Sequence, residues 1–164
     1  MEGRAIMAVS ERDPKTLLLG GGYTLQKLAC TLPEGSFVIT SRSPDRCAEW
    51  RNRGWIAESV SIDSPDDVNA LFTNYPSLRV VIDSVPPLPE ETTKGVSIVA
   101  NAVRNSSIMR LVYLSTTGVF GVDDGSVVTE TTECHPQSPG GKARKECEDV
   151  YRTLSERCEV IALR

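Results

Sequence analysis

One stretch near the start of the chain constrains the fold more than any other: Lys15 to Ala29, "KTLLLGGGYTLQKLA". A short apolar run leads into three glycines, and a helix-like segment follows. A buried strand, a tight glycine turn and a helix, in this order, form the first unit of a dinucleotide-binding fold. Gly20 and Gly22 match the first two glycines of G-x-G-x-x-G, whereas Leu25 stands at the third position. The turn predicts a pyrophosphate site, with a plain glycine turn as the alternative.

The candidate binding residues of this turn are consecutive. The first glycine permits the sharp turn, and the second lets the backbone approach a phosphate. The third normally allows close packing of the helix on the strand, so its replacement by leucine should shift the helix without removing the anion site. The predicted cofactor contacts here are Gly20, Gly21, Gly22, Tyr23, Thr24 and Leu25.

Apolar runs rich in valine and isoleucine alternate with helix-like segments as far as the last residue. Several of these runs are almost continuously apolar, as strands buried on both faces of a parallel sheet should be. The predicted strands are Thr16–Leu19, Phe37–Ser41, Trp55–Val60, Arg79–Val85, Met109–Thr116 and Cys158–Arg164.

Serine followed by proline marks the start of two predicted helices, at Ser43 and Ser64, because serine caps a helix and proline suits its first turn. Two more helices are predicted over Glu90–Asn105 and Gly141–Glu156. The alternation predicts an α/β fold: a doubly wound parallel sheet of about six strands in a three-layer αβα (Rossmann) arrangement, with strand order 3-2-1-4-5-6. Residues 15–164 would form this domain, and residues 1–14 a disordered lead-in.

Composition excludes several classes of function. The net charge of −4 and the pI near 5.1 argue against a nucleic-acid binder, which needs a basic face. No apolar run approaches the roughly 20 residues that span a bilayer. Five scattered cysteines and one histidine have no metal-ligand spacing, and the odd cysteine count without a signal peptide indicates a reducing compartment. The predicted location is the cytoplasm, or a plastid or other organelle if a longer precursor exists.

The end of the second strand, "VITSRSPDR", indicates which dinucleotide would bind. An acid at this point holds the ribose hydroxyls of NAD, but here Arg42 follows the strand, with Arg46 one turn later. A guanidinium beside a hydroxyl suits the 2′-phosphate of NADP. The predicted cofactor is therefore NADP, with NAD less favoured, and the alternative is a solvated arginine. The predicted contacts are Ser41, Arg42, Ser43 and Arg46.

The fifth predicted strand carries a more specific pattern. "LVYLSTTGVFG", Leu111 to Gly121, resembles the SS-x-x-VYG segment of the extended short-chain dehydrogenases/reductases, the NAD-dependent epimerase/dehydratase group. The following "VTETTECHPQSPGGKARKECE" resembles that family's E-x-x-P-x-x-P-x-S-x-Y-x-x-x-K stretch. The start of the chain and the "SRSPDR" turn look most like its atypical, NADP-type members. The resemblance covers Lys15 to Arg164.

The resemblance implies hydride transfer with the nicotinamide, a tyrosine as acid/base, a lysine beside it and a hydroxyl on the substrate oxygen. Thr116 lies where the hydroxyl is expected, with Ser115 beside it, and these are the candidate catalytic residues. Gly140 stands where the tyrosine should be and Arg144 where the lysine should be. Glycine carries no exchangeable side-chain proton, and arginine stays protonated. The ordinary tyrosine mechanism is therefore predicted to be absent, while Arg144 could hold ribose hydroxyls or a phosphate oxygen.

The resemblance also implies contacts around the adenine and the nicotinamide ribose, at the ends of the third, fourth and fifth strands. The segment from Asp83 ends the fourth strand, where the family passes its backbone under the nicotinamide ribose. Alternatively, Asp83 simply caps the turn there. The implied contacts are Ser61, Ile62, Ser84, Val85, Pro86 and Ser115.

The family continues past the sixth strand, so the C-terminal substrate subdomain is predicted to be lacking, and a small-molecule substrate would bind only in a full-length parent. The last strand would be a bare edge, which predicts a weak homodimer. Three functions stay open: the NADP(H)-binding domain of a reductase or epimerase/dehydratase-like protein, a non-catalytic NADP-binding sensor or regulatory module, and a fragment that binds nothing.

Overall fold

The computed structural model describes residues 13–88 and 90–164, over which six strands alternate with five α-helices. The predicted lead-in, residues 1–14, lies outside the described residues except for Asp13 and Pro14. The strands are β1 (Thr16–Leu19), β2 (Phe37–Ser41), β3 (Ile56–Ser59), β4 (Val80–Asp83), β5 (Arg110–Leu114) and β6 (Glu159–Leu163). The helices are α1 (Tyr23–Ala29), α2 (Pro44–Asn52), α3 (Pro65–Asn74), α4 (Lys94–Arg104) and α5 (Pro139–Arg152), with a 3-10 helix at Thr117–Val119.

The described strands form one parallel sheet in the order β3-β2-β1-β4-β5-β6. This confirms the predicted doubly wound fold and its strand order. Leu17, Leu18 and Leu19 of the central strand β1 have no exposed surface. Because a strand buried on both faces needs cover on both sides, the apolar character of β1 requires helices above and below the sheet.

Two apolar clusters fill the space between the sheet and its two helix layers. On one face, Leu25 of α1 and Trp50 of α2 pack with Leu18 and Ile39 of the sheet. On the other face, α3, α4 and α5 pack their apolar stripes on the sheet through residues such as Val99. The three-layer arrangement follows from this division.

Some elements end earlier or later than predicted, and the local hydrogen bonds give the reason. Strand β4 stops at Asp83 rather than Val85 because the Asp83 carboxylate accepts the N–H of Val85, at 2.8 Å. The Ser84 hydroxyl meanwhile turns to the carbonyl of Gly20. Helix α5 begins at Pro139 because the Ser138 hydroxyl accepts the N–H of Gly141, at 3.0 Å, and so caps the helix.

Strand β6 pairs with β5 on one side, and its other edge pairs with no strand in the part of the chain that the structure describes. Its residues are half-buried or exposed, and 51% of Leu163 is accessible. Among the described helices, none combines the length and the apolar character needed to cross a membrane.

Candidate functional site

The candidate site lies where strand order reverses, at the carboxyl ends of β1 and β4. Strands β1 and β4 are neighbours, but the chain leaves β1 toward β2 and leaves β4 toward β5. The two connections therefore diverge and open a crevice between them, which is where doubly wound folds bind ligands. The glycine turn occupies this crevice.

The glycine turn is held by hydrogen bonds from its own backbone. The N–H of Gly20 donates to the Thr40 hydroxyl (3.1 Å) and that of Gly21 to the Thr40 carbonyl (2.7 Å). Gly20 adopts a φ of +79°, which side chains other than glycine rarely adopt. These two bonds and the positive φ of Gly20 define the shape of the turn.

The next two glycines have different structural reasons. A Cβ on Gly21 would overlap the Trp50 ring, so this position must be glycine for α2 to pack on the sheet. A Cβ on Gly22 would meet only the Gly20 carbonyl, at 4.0 Å, so this position faces open space. Gly22 precedes α1, and no side chain caps that helix. The N–H of Gly22 itself donates to the Gly20 carbonyl (2.7 Å), so the exposed first-turn N–H groups of Tyr23 and Thr24 are the ones that can meet an anion.

Leu25 belongs to the core. It is 1% exposed and packs with Trp50 and Ile39, so the third glycine position is filled by an apolar side chain without opening the turn. Tyr23 is 78% exposed, with the Lys27 ammonium 5.5 Å from its ring centre. Of the predicted contacts in the turn, Leu25 therefore serves the packing of α1 and Gly21 lies against Trp50. Contact of the other four with a cofactor stays a prediction.

The carboxyl end of β2 presents two arginines to solvent. The Ser41 hydroxyl accepts the Ser43 N–H (3.1 Å), and the Ser43 hydroxyl accepts the Arg46 N–H (3.3 Å). These bonds fix the start of α2. Arg42 and Arg46 are exposed. Two guanidinium groups on one turn, beside a capped helix start, form a local positive patch on an acidic protein.

The predicted adenine contacts are occupied within the fold. Ser61 donates its N–H to Asp67 (3.0 Å) and its hydroxyl to Asp63. The hydrogen bond from Ser61 lowers the pKa of Asp63. Ile62 is 7% exposed and packs where Gly95 of α4 leaves room for it. These residues shape the loop after β3, and their contact with adenine stays a prediction.

The loop after β4 closes over the glycine turn. The Ser84 hydroxyl lies 2.6 Å from the Gly20 carbonyl and 3.2 Å from that of Leu19. The Val85 side chain lies against Gly20, where a Cβ would come within 2.8 Å of it. Pro86 is exposed. The structure thus brings Ser84 and Val85, predicted from the resemblance, directly onto the turn.

Arg144, at the predicted lysine position, links the ends of β4 and β5. Its Nη1 donates to the carbonyls of Val85 (3.3 Å) and Leu114 (3.0 Å) and to the Tyr113 hydroxyl (3.0 Å). Its guanidinium also lies 5.4 Å from the centre of the Tyr113 ring. Burial raises the pKa of Tyr113 well above its usual value. Tyr113 is therefore a packed neutral phenol, and Arg144 is held in place by three acceptors.

Gly140, at the predicted tyrosine position, faces open space. A Cβ there would meet nothing within 4 Å, whereas a Cβ on the adjacent Gly141 would overlap the Gly118 carbonyl. The first turn of α5 is therefore seated against the 3-10 helix, and the space beside Gly140 is empty of protein.

The two candidate catalytic hydroxyls have partners inside the protein. The Ser115 hydroxyl donates to Glu148 (2.5 Å), and the Thr116 hydroxyl accepts the Gly118 N–H (3.2 Å). Glu148 also pairs with Arg164, and sequence reasoning missed both residues. The available signal was the four-residue spacing of Arg144 and Glu148, which places them on one face of α5.

Asp83 is the other group that sequence reasoning underestimated. Its carboxylate accepts the Val85 N–H, which confirms the turn-cap alternative, and also the Tyr151 hydroxyl at 2.6 Å. Burial raises the pKa of Asp83 to about 6, and the hydrogen bonds and Arg144 oppose this shift. A titratable carboxyl thus lies directly beneath the loop that covers the glycine turn.

A groove of about 720 Å³ lies elsewhere, between α3 and α4 at the amino ends of the strands. Its lining includes Phe72, Tyr75 and Asn101 and no charged side chain. It is remote from the glycine turn, and its wide mouth and neutral lining do not suit a dinucleotide.

Comparison with solved structures identifies the fold. UDP-glucose 4-epimerase from Thermus thermophilus, solved with NAD, superposes with a TM-score of 0.75 at 19% identity over 92% of this chain. A short-chain dehydrogenase/reductase superfamily protein from Agrobacterium tumefaciens, with bound NAD, gives 0.74 at 16% identity over 91% of this chain. This chain has a Rossmann fold. A double mutant of the dTDP-glucose 4,6-dehydratase DesIV from Streptomyces venezuelae, with NAD bound, gives 0.72 at 15% identity over 90% of this chain.

This Rossmann domain spans about half the length of these structures: 54% of the epimerase, 48% of the Agrobacterium protein and 54% of the dehydratase. No protein-family model matches the sequence, and the search of curated proteins found no match. The likeness at these identities establishes the fold, and the activity of this chain is a separate question.

Proposed function

We propose that this Rossmann domain binds NADP(H) across Gly20–Leu25, with the pyrophosphate at the first-turn N–H groups of Tyr23 and Thr24 and the 2′-phosphate at Arg42. The observation that carries the proposal is the hydrogen-bonded glycine turn at the reversal point of the sheet, since it is followed by a helix start that no side chain caps. The solved structures named above contain NAD in the same fold, which supports a nicotinamide dinucleotide.

The preference for NADP over NAD rests on charge at the end of β2. Arg42 and Arg46 are exposed there, and Asp45 is the only acid in the first turn of α2. A charge-assisted bond to a phosphate contributes about 1.5–3 kcal/mol, which corresponds to roughly 10- to 150-fold in affinity. A 2′-hydroxyl would gain much less from the same guanidinium.

Titration with NADPH and NADH, followed by nicotinamide fluorescence, tests this proposal. We expect saturable binding of NADPH that is at least about tenfold tighter than that of NADH. In Arg42→Ala this preference for NADPH should be lost. Arg53→Ala is the matched control, because Arg53 is an exposed arginine at the other end of α2. Equal affinity for both dinucleotides would contradict the NADP preference. Absence of any binding would favour the third reading, a fragment that binds nothing.

A non-catalytic NADP-binding module is the second candidate, and the geometry beside Thr116 favours it for this chain. Gly140 offers no proton, and three acceptors already hold Arg144. If a full-length parent is an enzyme, a reductase or epimerase/dehydratase on a small or sugar-like substrate is proposed. Turnover of bound NADPH by the parent, but not by this chain, would separate the two. The proposed location is the cytoplasm, with an organelle as the alternative, and this proposal rests on the sequence alone.

A further inference from the structure

Glu148 is a buried acid with a full set of partners. Its side chain is 1% exposed, and it accepts from three donors on two residues. The Ser115 hydroxyl lies 2.5 Å and the Arg164 Nε 3.1 Å from Oε1, and the Arg164 Nη2 lies 2.7 Å from Oε2. Because an ionised carboxylate is stable in the interior only when paired and hydrogen-bonded, these three bonds fix the position of every group involved.

This cluster joins three elements at the carboxyl edge of the sheet. Glu148 lies on α5, Ser115 follows β5 and Arg164 follows β6. The Ser115 N–H also donates to the Leu163 carbonyl (2.7 Å), and the Arg164 guanidinium lies 5.1 Å from the Phe120 ring centre. The segment 115–120, which carries Thr116, is therefore tied at both ends.

Hydrogen bonds within the protein also decide whether each of the two neighbouring hydroxyls can donate to a ligand or only accept from it. Ser115 gives its proton to Glu148, so its oxygen can only accept from a ligand. Thr116 accepts the Gly118 N–H and keeps its own proton to donate. Thr116, rather than Ser115, is thus the hydroxyl that can polarise a ligand oxygen.

Strand order places this segment on one side of the crevice. The glycine turn follows β1 and the arginines follow β2, so an adenosine half lies toward β2. The other half of a dinucleotide extends across β4 toward β5, where Ser115 and Thr116 lie.

We propose that Glu148 is a positioning residue for the nicotinamide half of the site and that it acts through the hydroxyl of Ser115. The inference rests on the proposed dinucleotide function.

The test compares two probes on the full 164-residue chain. NADPH contacts both halves of the site, whereas 2′,5′-ADP contacts only the adenosine half. We expect Glu148→Gln and Ser115→Ala to weaken NADPH by about three- to tenfold, the loss of one hydrogen bond, and to leave the affinity for 2′,5′-ADP within about twofold. Amide exchange of residues 116–120 in the ligand-free protein should become faster in both variants.

The matched control is Arg110→Met, which breaks an ion pair to Glu159 between the same two strands. That pair is half exposed, at 52% and 53%, and should leave both affinities unchanged. Ser115→Ala keeps the Glu148–Arg164 pair, so it tests the inference even if Glu148→Gln unfolds the protein.

Equal weakening of both probes would overturn the inference, because it would show a general structural role. Unchanged NADPH affinity in Ser115→Ala would overturn it as well, since Glu148 would then not act through Ser115. If the wild-type chain binds neither probe, the proposed function itself is contradicted, and this inference falls with it.

Discussion

The hydroxyl of Tyr151 donates to the carboxylate of Asp83 across 2.6 Å, and neither side chain has any exposed surface. The pair joins α5 to the end of β4, directly beneath Ser84 and Val85, which cover the glycine turn. Arg144 faces Asp83 from α5, as does the Cys147 thiol, and burial raises the pKa of that thiol. The floor of the candidate site is thus a polar network in an otherwise apolar interior.

The first prediction concerns Asp83 and pH. Its pKa is about 6 in the folded protein and near 4 in the unfolded chain, so the folded state binds the proton more tightly. Stability from this group is therefore present at low pH and is lost as pH rises from about 4 to about 6. When the pH is lowered from 7 to 5, we expect the free energy of unfolding of the wild type to rise by about 1 kcal/mol relative to that of Asp83→Asn. Urea unfolding of both proteins at both pH values measures the difference. The same change in the free energy of unfolding in the wild type and in Asp83→Asn would contradict the prediction.

The second prediction is that restoring the missing glycine harms the protein. Leu25→Gly removes a core side chain and adds a flexible residue inside α1, so we expect a loss of about 3–5 kcal/mol in the free energy of unfolding. The exposed neighbour is the control: Thr24→Gly should cost about 1 kcal/mol or less. A Leu25→Gly protein as stable as the wild type in chemical denaturation would refute the assignment of Leu25 to the core.

The third prediction separates two adjacent glycines. Gly21→Ala should destabilise the fold by about 1–3 kcal/mol, because its Cβ overlaps the Trp50 ring. Gly22→Ala should keep the melting temperature but weaken NADPH binding, because its Cβ points into the space left for the ligand. Thermal unfolding and the NADPH titration measure the two effects. If Gly22→Ala left the NADPH affinity unchanged, the ligand would not lie beside Gly22.

The fourth prediction concerns the empty space beside α5. Gly140→Tyr should fold with stability within about 1 kcal/mol of the wild type, since nothing lies within 4 Å of its Cβ. Gly141→Ala, one residue later, should destabilise the protein by more than that, because its Cβ overlaps the Gly118 carbonyl. Denaturant unfolding of the two variants makes the comparison. If Gly140→Tyr were the less stable of the two variants, the conclusion that the space beside Gly140 is empty of protein would be contradicted.

The fifth prediction concerns the edge strand β6. The edge of β6 that pairs with no strand among the described residues, together with the exposed Leu163, favours weak pairing between two copies. We expect light scattering to show concentration-dependent dimerisation, which Leu163→Lys should reduce. A wild-type monomer whose amides in Cys158–Arg164 are protected from exchange would contradict this.

The sequence by itself determined the order of the elements and the position of the crevice. Apolar runs alternating with capped helices leave few topologies for a parallel sheet, and Gly20 and Gly22 mark the turn after the first strand. Strand and helix ends were predicted less well. Side chains such as those of Asp83 and Ser84 compete with the sheet for backbone hydrogen bonds, and this competition depends on neighbours that are distant in sequence.

Only the tertiary structure decided what several residues do. Leu25 looked like a defect in a motif, but α2 brings Trp50 against it and makes it core. The sequence offered Ser115 as a candidate catalytic residue without a partner, and the fold brings Glu148, 33 residues later, onto its hydroxyl. Local patterns predict turns and faces because these depend on adjacent residues. The partners of a buried polar group depend on which elements pack together, and that is fixed only when the whole sheet and its helices assemble.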